Sequence, residues 1–195
     1  MRKKFNDTVR LKNFSYASSR WYFVTICTEG RKCNLSKIDG CNVRLSKFGG
    51  IVEEEWLSIK ERRPYIALGP MVIMPNHVHG LLAIALTTDA TDGGEERSID
   101  KDAPTARKLT PASLSSVIGG FKSGATRRIN DLRRAPGTQF WQQGFHDHIV
   151  RNEKEWEEVA NYILYNPINW HSDRDNPVGS PTSEEIEFWR RTMGL

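Results

Sequence analysis

The chain has few cysteines, no long apolar run and little excess charge, and each of these shortages excludes a class of protein. Cys27, Cys33 and Cys41 are too few and too unevenly spaced for a disulfide framework, and they form no Cys-x-x-Cys zinc pattern. This cysteine usage suits a reducing compartment, so we expect a cytoplasmic protein. No apolar run approaches the length of a membrane span, and the basic N-terminus lacks the hydrophobic segment of a signal peptide.

Length and charge set the broad organisation. The 195 residues are 38% hydrophobic and suffice for one domain with a buried core, while the net charge of +4 permits a polyanionic partner without requiring one. We expect a basic N-terminal arm over residues 1–20, the main domain over 21–170 and a C-terminal tail over 171–195. Residues 87–110 carry almost no large apolar side chain, which predicts a flexible surface insertion.

Hydrophobic periodicity predicts alternating strands and helices. Residues 21–28 are rich in aromatic and β-branched side chains on both faces, which is typical of a central strand. A helix follows Ser46, and residues 65–74 and 77–86 read as two strands joined by a Met-Pro-Asn turn. A longer helix follows the insertion, and a shorter one begins at Asn152, a favourable capping residue.

Two histidines, His77 and His79, lie two residues apart at the start of the second of those strands. Because side chains alternate between the faces of a strand, both imidazoles point the same way and Val78 points the other way. Two neutral imidazoles on a rigid strand can hold one metal ion. A His-x-His pair can also simply satisfy hydrogen bonds at a sheet edge, and the pair alone does not decide between these alternatives.

The C-terminal helix supplies a second pair of polar side chains. Tyr162 and Asn166 are four residues apart, so they lie one turn apart on the same helix face. If this helix packs across the histidine strand, His77, His79 and Asn166 form a three-ligand metal site beside a tyrosine. Tyr165 is a rival nucleophile, but its spacing does not stack it on Asn166.

Five motifs, in order, carry a family resemblance: MPNHVHGLL at 74–82, FKS at 121–123, FWQ at 140–142, HDHIVR at 146–151 and YILYNP at 162–167. The sequence resembles the single-tyrosine HUH transposases, where HUH means His-hydrophobe-His, and is most similar to their REP-associated branch. The resemblance implies an α+β fold: a ferredoxin-like (RRM-like) antiparallel sheet with helices packed on one face. The HUH motif then lies on a central strand and the tyrosine on a C-terminal helix.

The same resemblance implies cleavage and strand transfer of single-stranded DNA, usually near a hairpin, through a 5′-phosphotyrosine intermediate. It assigns Tyr162 as the nucleophile and His77, His79 and Asn166 as ligands of a divalent metal ion, Mg²⁺ or Mn²⁺. Many relatives have glutamine or glutamate as the third ligand, so the shorter asparagine requires a closer helix. A monomer and a homodimer both remain open.

Basic side chains on the middle helix and beyond are candidate phosphate contacts, although a solvated basic face is the plain alternative. They are Lys122, Arg127, Arg128, Arg133, Arg134 and Arg151. A second histidine pair, His146 and His148, has the charged Asp147 at its centre, and we expect a structural or DNA-facing role for it.

Two other functions compete with the transposase hypothesis. A non-catalytic module would bind single-stranded nucleic acid on its sheet, with Trp21, Tyr22 and Phe23 as candidates for base stacking. A metal-dependent phosphodiesterase would use water as the nucleophile and form no covalent protein–DNA species.

Overall fold

The computed structural model describes residues 19–85 and 113–193. The first half contains β1 (Ser19–Cys27), β2 (Ser36–Asp39), β3 (Asn42–Leu45), α1 (Lys47–Arg62), β4 (Ile66–Ile73) and β5 (His77–Ala85). The second half contains α2 (Leu114–Arg133), β6 (His146–Val150), α3 (Glu153–Tyr165) and α4 (Ser183–Met193). The predicted insertion over 87–110 and nearly all of the predicted arm over 1–20 lie outside the described residues. None of the helices in the described part is long and apolar enough to cross a membrane.

Four strands form one antiparallel sheet in the order β4-β5-β1-β6, and β2 pairs with β3 in a separate hairpin. With α1 between β1 and β4, and α2 between β5 and β6, this is the ferredoxin-like arrangement. The predicted α+β class and antiparallel sheet are therefore confirmed. The HUH motif opens β5, a central strand, and the register places Thr25 opposite His79 and Cys27 opposite His77.

One face of the sheet carries α1 and α2. Val78 and Leu82 of β5 are fully buried on this side, in a core that includes Trp56 of α1 and Phe121 of α2. Gly80 allows the Trp56 indole to lie directly on the strand, because a Cβ at Gly80 would be 2.5 Å from a ring carbon of Trp56. The strand backbone and α1 are thus held in close contact.

The opposite face carries α3 and α4. Trp21 and Phe23 of β1 pack there with Trp156 and Ile163 of α3 and Phe188 of α4. This corrects the expectation that the helices pack on one face only. The physical reason is that β1 and β5 are apolar on both faces, so each face needs a covering layer.

The predicted start of α3 is confirmed. Asn152 caps the helix, and its side-chain oxygen accepts a 2.9 Å hydrogen bond from the Glu155 amide. The Glu155 carboxylate, instead of closing a full capping box, accepts hydrogen bonds from the Arg151 amide and from His148. These contacts tie the start of α3 to β6 and thereby place the helix across the sheet.

Candidate metal and tyrosine site

His77 and His79 lie side by side on the α3 and α4 face of the sheet. Their Nε2 atoms are 3.0 Å apart, and both side chains are fully buried. The structure therefore agrees with the prediction that the two imidazoles point in the same direction. It follows from the alternation of side chains along β5.

The orientation of His77 is determined by Asn76. The Asn76 amide nitrogen donates to the carbonyl oxygens of Asp175, at 2.7 Å, and Arg31, at 3.3 Å. Its side-chain oxygen must then accept the 2.8 Å hydrogen bond that joins it to His77 Nδ1. His77 Nδ1 consequently carries a proton, and Nε2 is the ring nitrogen that faces His79.

His79 is held by Thr25, whose hydroxyl is 2.8 Å from His79 Nδ1. Burial, followed by the neighbouring His77, lowers the pKa of His79 well below its ordinary value of 6.5. His79 is therefore neutral at physiological pH, and the neutral imidazole is the form that binds a metal ion.

Asp173 brings a carboxylate to the same place. Its side chain is fully buried, and Oδ2 lies 3.7 Å from His77 Nε2. The ligand atoms of His77, His79 and Asp173 lie within 4.8 Å of one another, so this buried group can bind a metal ion. No sequence pattern points to Asp173, because it lies in a turn-rich segment beyond α3 and belongs to no motif.

Asn166 reaches this group from the end of α3. It is 2% exposed, and its amide nitrogen donates a 2.9 Å hydrogen bond to Asp173 Oδ2. Its side-chain oxygen is buried without a hydrogen-bond partner among the described residues. An orphaned amide oxygen on a side chain that contacts the carboxylate of this group fits a divalent cation, since such ions accept amide oxygens as ligands. The helix α3 therefore packs across the strand of His77 and His79, as the predicted three-ligand site requires.

Tyr162 lies next to His79, with 5.4 Å between the ring centroids. Its hydroxyl donates to Glu185 Oε1 at 2.9 Å and accepts from the indole nitrogen of Trp189 at 3.0 Å. Burial raises the pKa of Tyr162, and the charges of Asp173 and Glu185 raise it further. The phenol is therefore protonated in this arrangement.

The two tyrosine candidates differ in environment. Tyr162 stacks on Phe188 of α4 at 3.9 Å, whereas Tyr165 is 54% exposed. The geometry thus brings Tyr162, and not Tyr165, to the histidine pair.

The segment assigned to a C-terminal tail, 171–195, contributes directly to this site. Asp173, Glu185 and Trp189 all come from it, and Trp189 is only 2% exposed. The sequence does not reveal that α4 folds back over the tyrosine. That contact depends on the turn between the two helices.

Several of the candidate DNA-binding residues make contacts within the protein. Lys122 donates to the carbonyl oxygens of Gln142, at 2.7 Å, and Gly144, at 2.6 Å. Arg128 forms ion pairs with Glu54 and Glu55. These two side chains therefore already have structural roles on the α1 and α2 face.

The other basic candidates differ in their surroundings. Arg133 donates to the carbonyl oxygen of Thr138 at 3.2 Å, and Arg151 pairs with Glu155 at 3.6 Å. Arg127 lines an open cavity of about 760 Å³ beside the 136–144 segment. Arg134 ends α2 in a left-handed conformation, with φ of 52°. The structure does not bring these residues to the histidine pair.

One histidine of the second pair and two of the candidate stacking residues serve the framework. His148 contacts Glu155 at 2.7 Å, whereas His146 is exposed. Trp21 and Phe23 are 3% and 0% exposed, so these two rings belong to the core and do not offer a stacking surface.

Comparison with known proteins places this site in context. No protein-family model matches the chain. An uncharacterized protein of Haemophilus influenzae (strain Rd) is 30% identical over 171 residues, which cover 86% of this chain and 91% of that protein. A solved structure of a REP-associated tyrosine transposase bound to a REP hairpin matches with a TM-score of 0.52 and 18% sequence identity. The match covers 83% of this chain and 73% of that one. The resemblance stated from the sequence is thus confirmed at the level of the fold.

Proposed function

Because the chain belongs to the same family as the uncharacterized Haemophilus influenzae protein and shares its fold with a tyrosine transposase, we propose that it cleaves and rejoins single-stranded DNA. The observation that carries this proposal is the position of Tyr162 beside the buried His77–His79 pair, with 5.4 Å between the His79 and Tyr162 rings. A nucleophile next to a metal-binding group is the arrangement that phosphoryl transfer requires.

His77 and His79 would hold a divalent metal ion, and the resemblance adds Asn166 as the third ligand. A bound Mg²⁺ or Mn²⁺ would polarise the scissile phosphate and would neutralise the charge that develops on its oxygens. The unpartnered oxygen of Asn166 supports its assignment. The hydrogen bonds of Asn76 and Thr25 orient the two imidazoles towards each other, as partners of metal-binding histidines usually do.

Tyr162 is the proposed nucleophile. Attack of its oxygen on the scissile phosphorus forms a tyrosyl O–P bond and breaks the bond to the 3′ oxygen. The products are a 5′-phosphotyrosine and a free 3′-OH. A phenol, with an ordinary pKa of about 10, is a competent leaving group, so a DNA 3′-OH can reverse the step. Strand transfer follows from this reversibility, which hydrolysis by water would not provide.

The proposed substrate is single-stranded DNA that carries a hairpin, because the fold neighbour is described as bound to a REP hairpin. Arg127 of α2 and Arg134, which caps the end of α2, are the candidate phosphate contacts whose side chains have no hydrogen bond or ion pair within the described part of the chain. Four other basic side chains remain candidate phosphate contacts, although each would have to exchange a contact within the protein for one with DNA. They are Lys122, Arg128, Arg133 and Arg151. Phosphate contacts would make binding weaken steeply with salt.

The test is a covalent-adduct assay. The full chain is incubated with Mn²⁺ and single-stranded hairpin oligonucleotides that match palindromic repeats of its own genome, and the products are separated on a denaturing gel. We expect a protein–DNA adduct that disappears in Tyr162→Phe and persists in the matched control Tyr165→Phe. Adduct formation by Tyr162→Phe would contradict the nucleophile. Turnover without any adduct would favour a phosphodiesterase that uses water.

A further inference from the structure

We propose that Asp173 is a direct ligand of the metal ion at the His77–His79 pair, so that the centre contains a carboxylate from the segment between α3 and α4. This inference rests on the proposed metal-dependent function. It adds an anionic ligand to the two imidazoles and the Asn166 amide that the family resemblance implies.

The distances fit a coordination sphere. In an octahedral site with metal–ligand bonds of about 2.1 Å, adjacent ligand atoms are separated by about 3.0 Å. The Nε2 atoms of His77 and His79 are 3.0 Å apart, and Asp173 Oδ2 is 3.7 Å from His77 Nε2. Because all three ligand atoms lie within 4.8 Å of one another, a small inward movement of the carboxylate would complete a three-ligand set.

The surroundings of Asp173 would suit a bound cation. Its side chain is fully buried, with Oδ1 accepting from the Asp175 amide at 2.6 Å and Oδ2 accepting from Asn166 at 2.9 Å. Among the described residues, no lysine or arginine forms an ion pair with it. A buried carboxylate without a cationic partner is costly, and a divalent ion between it and the imidazoles would provide the missing charge.

Asp175, two residues further on, has the opposite arrangement. It is also buried, at 4% exposed, but its carboxylate forms an ion pair with Arg31. The two aspartates therefore offer a matched comparison: the same charge, in the same segment, with and without an arginine partner.

A carboxylate ligand also changes the selectivity of the centre. Two imidazoles alone suit zinc and nickel, whereas carboxylate and amide oxygens suit manganese and magnesium. With Asp173 added to His77, His79 and the proposed ligand Asn166, the donor set would balance two nitrogens against two oxygens. We therefore expect Mn²⁺ to be bound more tightly than it would be by the histidine pair and Asn166 alone.

The direct test measures Mn²⁺ binding to the full chain. Binding is monitored through the loss of the electron paramagnetic resonance signal of free Mn²⁺. Asp173→Asn preserves the shape of the side chain and an acceptor for the Asp175 amide. We expect it to weaken Mn²⁺ binding by about tenfold or more, as loss of a metal-site contact typically does. Asp175→Asn, which removes a charge facing Arg31, should change the affinity much less.

The outcomes separate this inference from the proposed function. If His77→Ala abolishes Mn²⁺ binding and Asp173→Asn binds like the wild type, Asp173 is not a ligand, and the two-histidine centre stands. If Asp175→Asn weakens binding as much as Asp173→Asn, the effect is one of net charge and direct ligation is contradicted. A wild-type chain that binds no Mn²⁺ but forms the DNA adduct in its absence would overturn the metal centre and this inference together, while leaving the tyrosine chemistry.

A second variant guards against a folding defect. In Asp173→Cys, a thiolate replaces the carboxylate, and thiolates prefer soft ions. We expect this variant to gain tight Cd²⁺ binding with an ultraviolet thiolate-to-cadmium absorption band, above the background of the three native cysteines in the wild type. The band should disappear when His79→Ala is combined with it. A band that is absent, or indifferent to His79, would contradict ligation from position 173.

Discussion

Tyr162 donates a 2.9 Å hydrogen bond to Glu185, a residue that follows it by 23 positions and lies on the next helix. Trp189, one turn further along α4, donates to both the Tyr162 hydroxyl, at 3.0 Å, and Glu185 Oε1, at 2.8 Å. The candidate nucleophile is thus held in a three-membered polar cluster whose other members both come from α4. Before the Tyr162 hydroxyl can contact a phosphate, its hydrogen bonds to Glu185 and Trp189 must break.

Removing a hydrogen bond between α4 and Tyr162 should free the Tyr162 hydroxyl for reaction. Trp189→Phe keeps an aromatic ring but removes the indole N–H that bonds Glu185 and Tyr162, at a cost of about 1–3 kcal/mol in the free energy of unfolding. We expect a lower melting temperature together with faster adduct formation, measured on the same preparation. Arg191→Gln, which alters only the exposed pair with Glu158, is a suitable control on α4. Slower adduct formation in Trp189→Phe would show that α4 supports the reaction in its present position.

The environment of Tyr162 predicts an abnormal titration. Burial, assisted by Asp173 and Glu185, raises its pKa above the ordinary value of 10.0. Above pH 10 the unfolded chain releases this proton and the folded chain retains it, so stability is complete below pH 10 and falls as the pH rises further. Phenolate absorbance of the folded protein should match that of Tyr162→Phe through pH 10. An extra phenolate near pH 10 in the wild type would contradict this environment.

His79 predicts a second pH dependence, at the acidic end. Its pKa is lowered by burial and then by His77, so the folded chain resists the proton that the unfolded chain accepts below pH 6.5. The stability from His79 is therefore present above pH 6.5 and is lost as the pH falls. Urea unfolding between pH 8 and pH 5 should show this loss in the wild type and a smaller one in His79→Gln. If the free energy of unfolding falls equally with pH in the two proteins, His79 is not the source of this pH dependence.

Asn76 should control metal affinity without touching the ion. Its side chain fixes the proton of His77 on Nδ1, through a 2.8 Å hydrogen bond. We expect Asn76→Ala to weaken Mn²⁺ binding by about 10–100-fold, the usual effect of losing an orienting partner. Thr25→Val tests the equivalent bond to His79. If Asn76→Ala binds Mn²⁺ normally and is merely less stable, the asparagine has a purely structural role.

The sequence was sufficient to predict much of this arrangement. The periodicity of β1, β5 and α3 predicts a sheet with a packed helix, and the spacings of His77 to His79 and of Tyr162 to Asn166 identify two halves of one site. Both spacings are local geometry, which strands and helices determine by themselves. The meeting of the two halves is tertiary, and only the family motifs indicated it.

Other features could not be predicted because they depend on long-range packing. Asp173 and Glu185 reach the site through the turn between α3 and α4, whose path has no periodic signal. The apolar character of both faces of β1 is visible in the sequence, but which helices cover the second face depends on tertiary packing. Lys122 looked like a free basic side chain, but its half-buried amine is occupied by two carbonyl oxygens of the 142–144 segment.

The central claim is that Tyr162 forms a covalent bond to DNA beside the His77–His79 centre. The most direct measurement is mass spectrometry of the protease-digested protein after reaction with a hairpin oligonucleotide and Mn²⁺. We predict a nucleotide 5′-phosphate attached to Tyr162, which disappears in His77→Ala and on chelation of the metal. Attachment to Tyr165 or to any other residue would contradict the account.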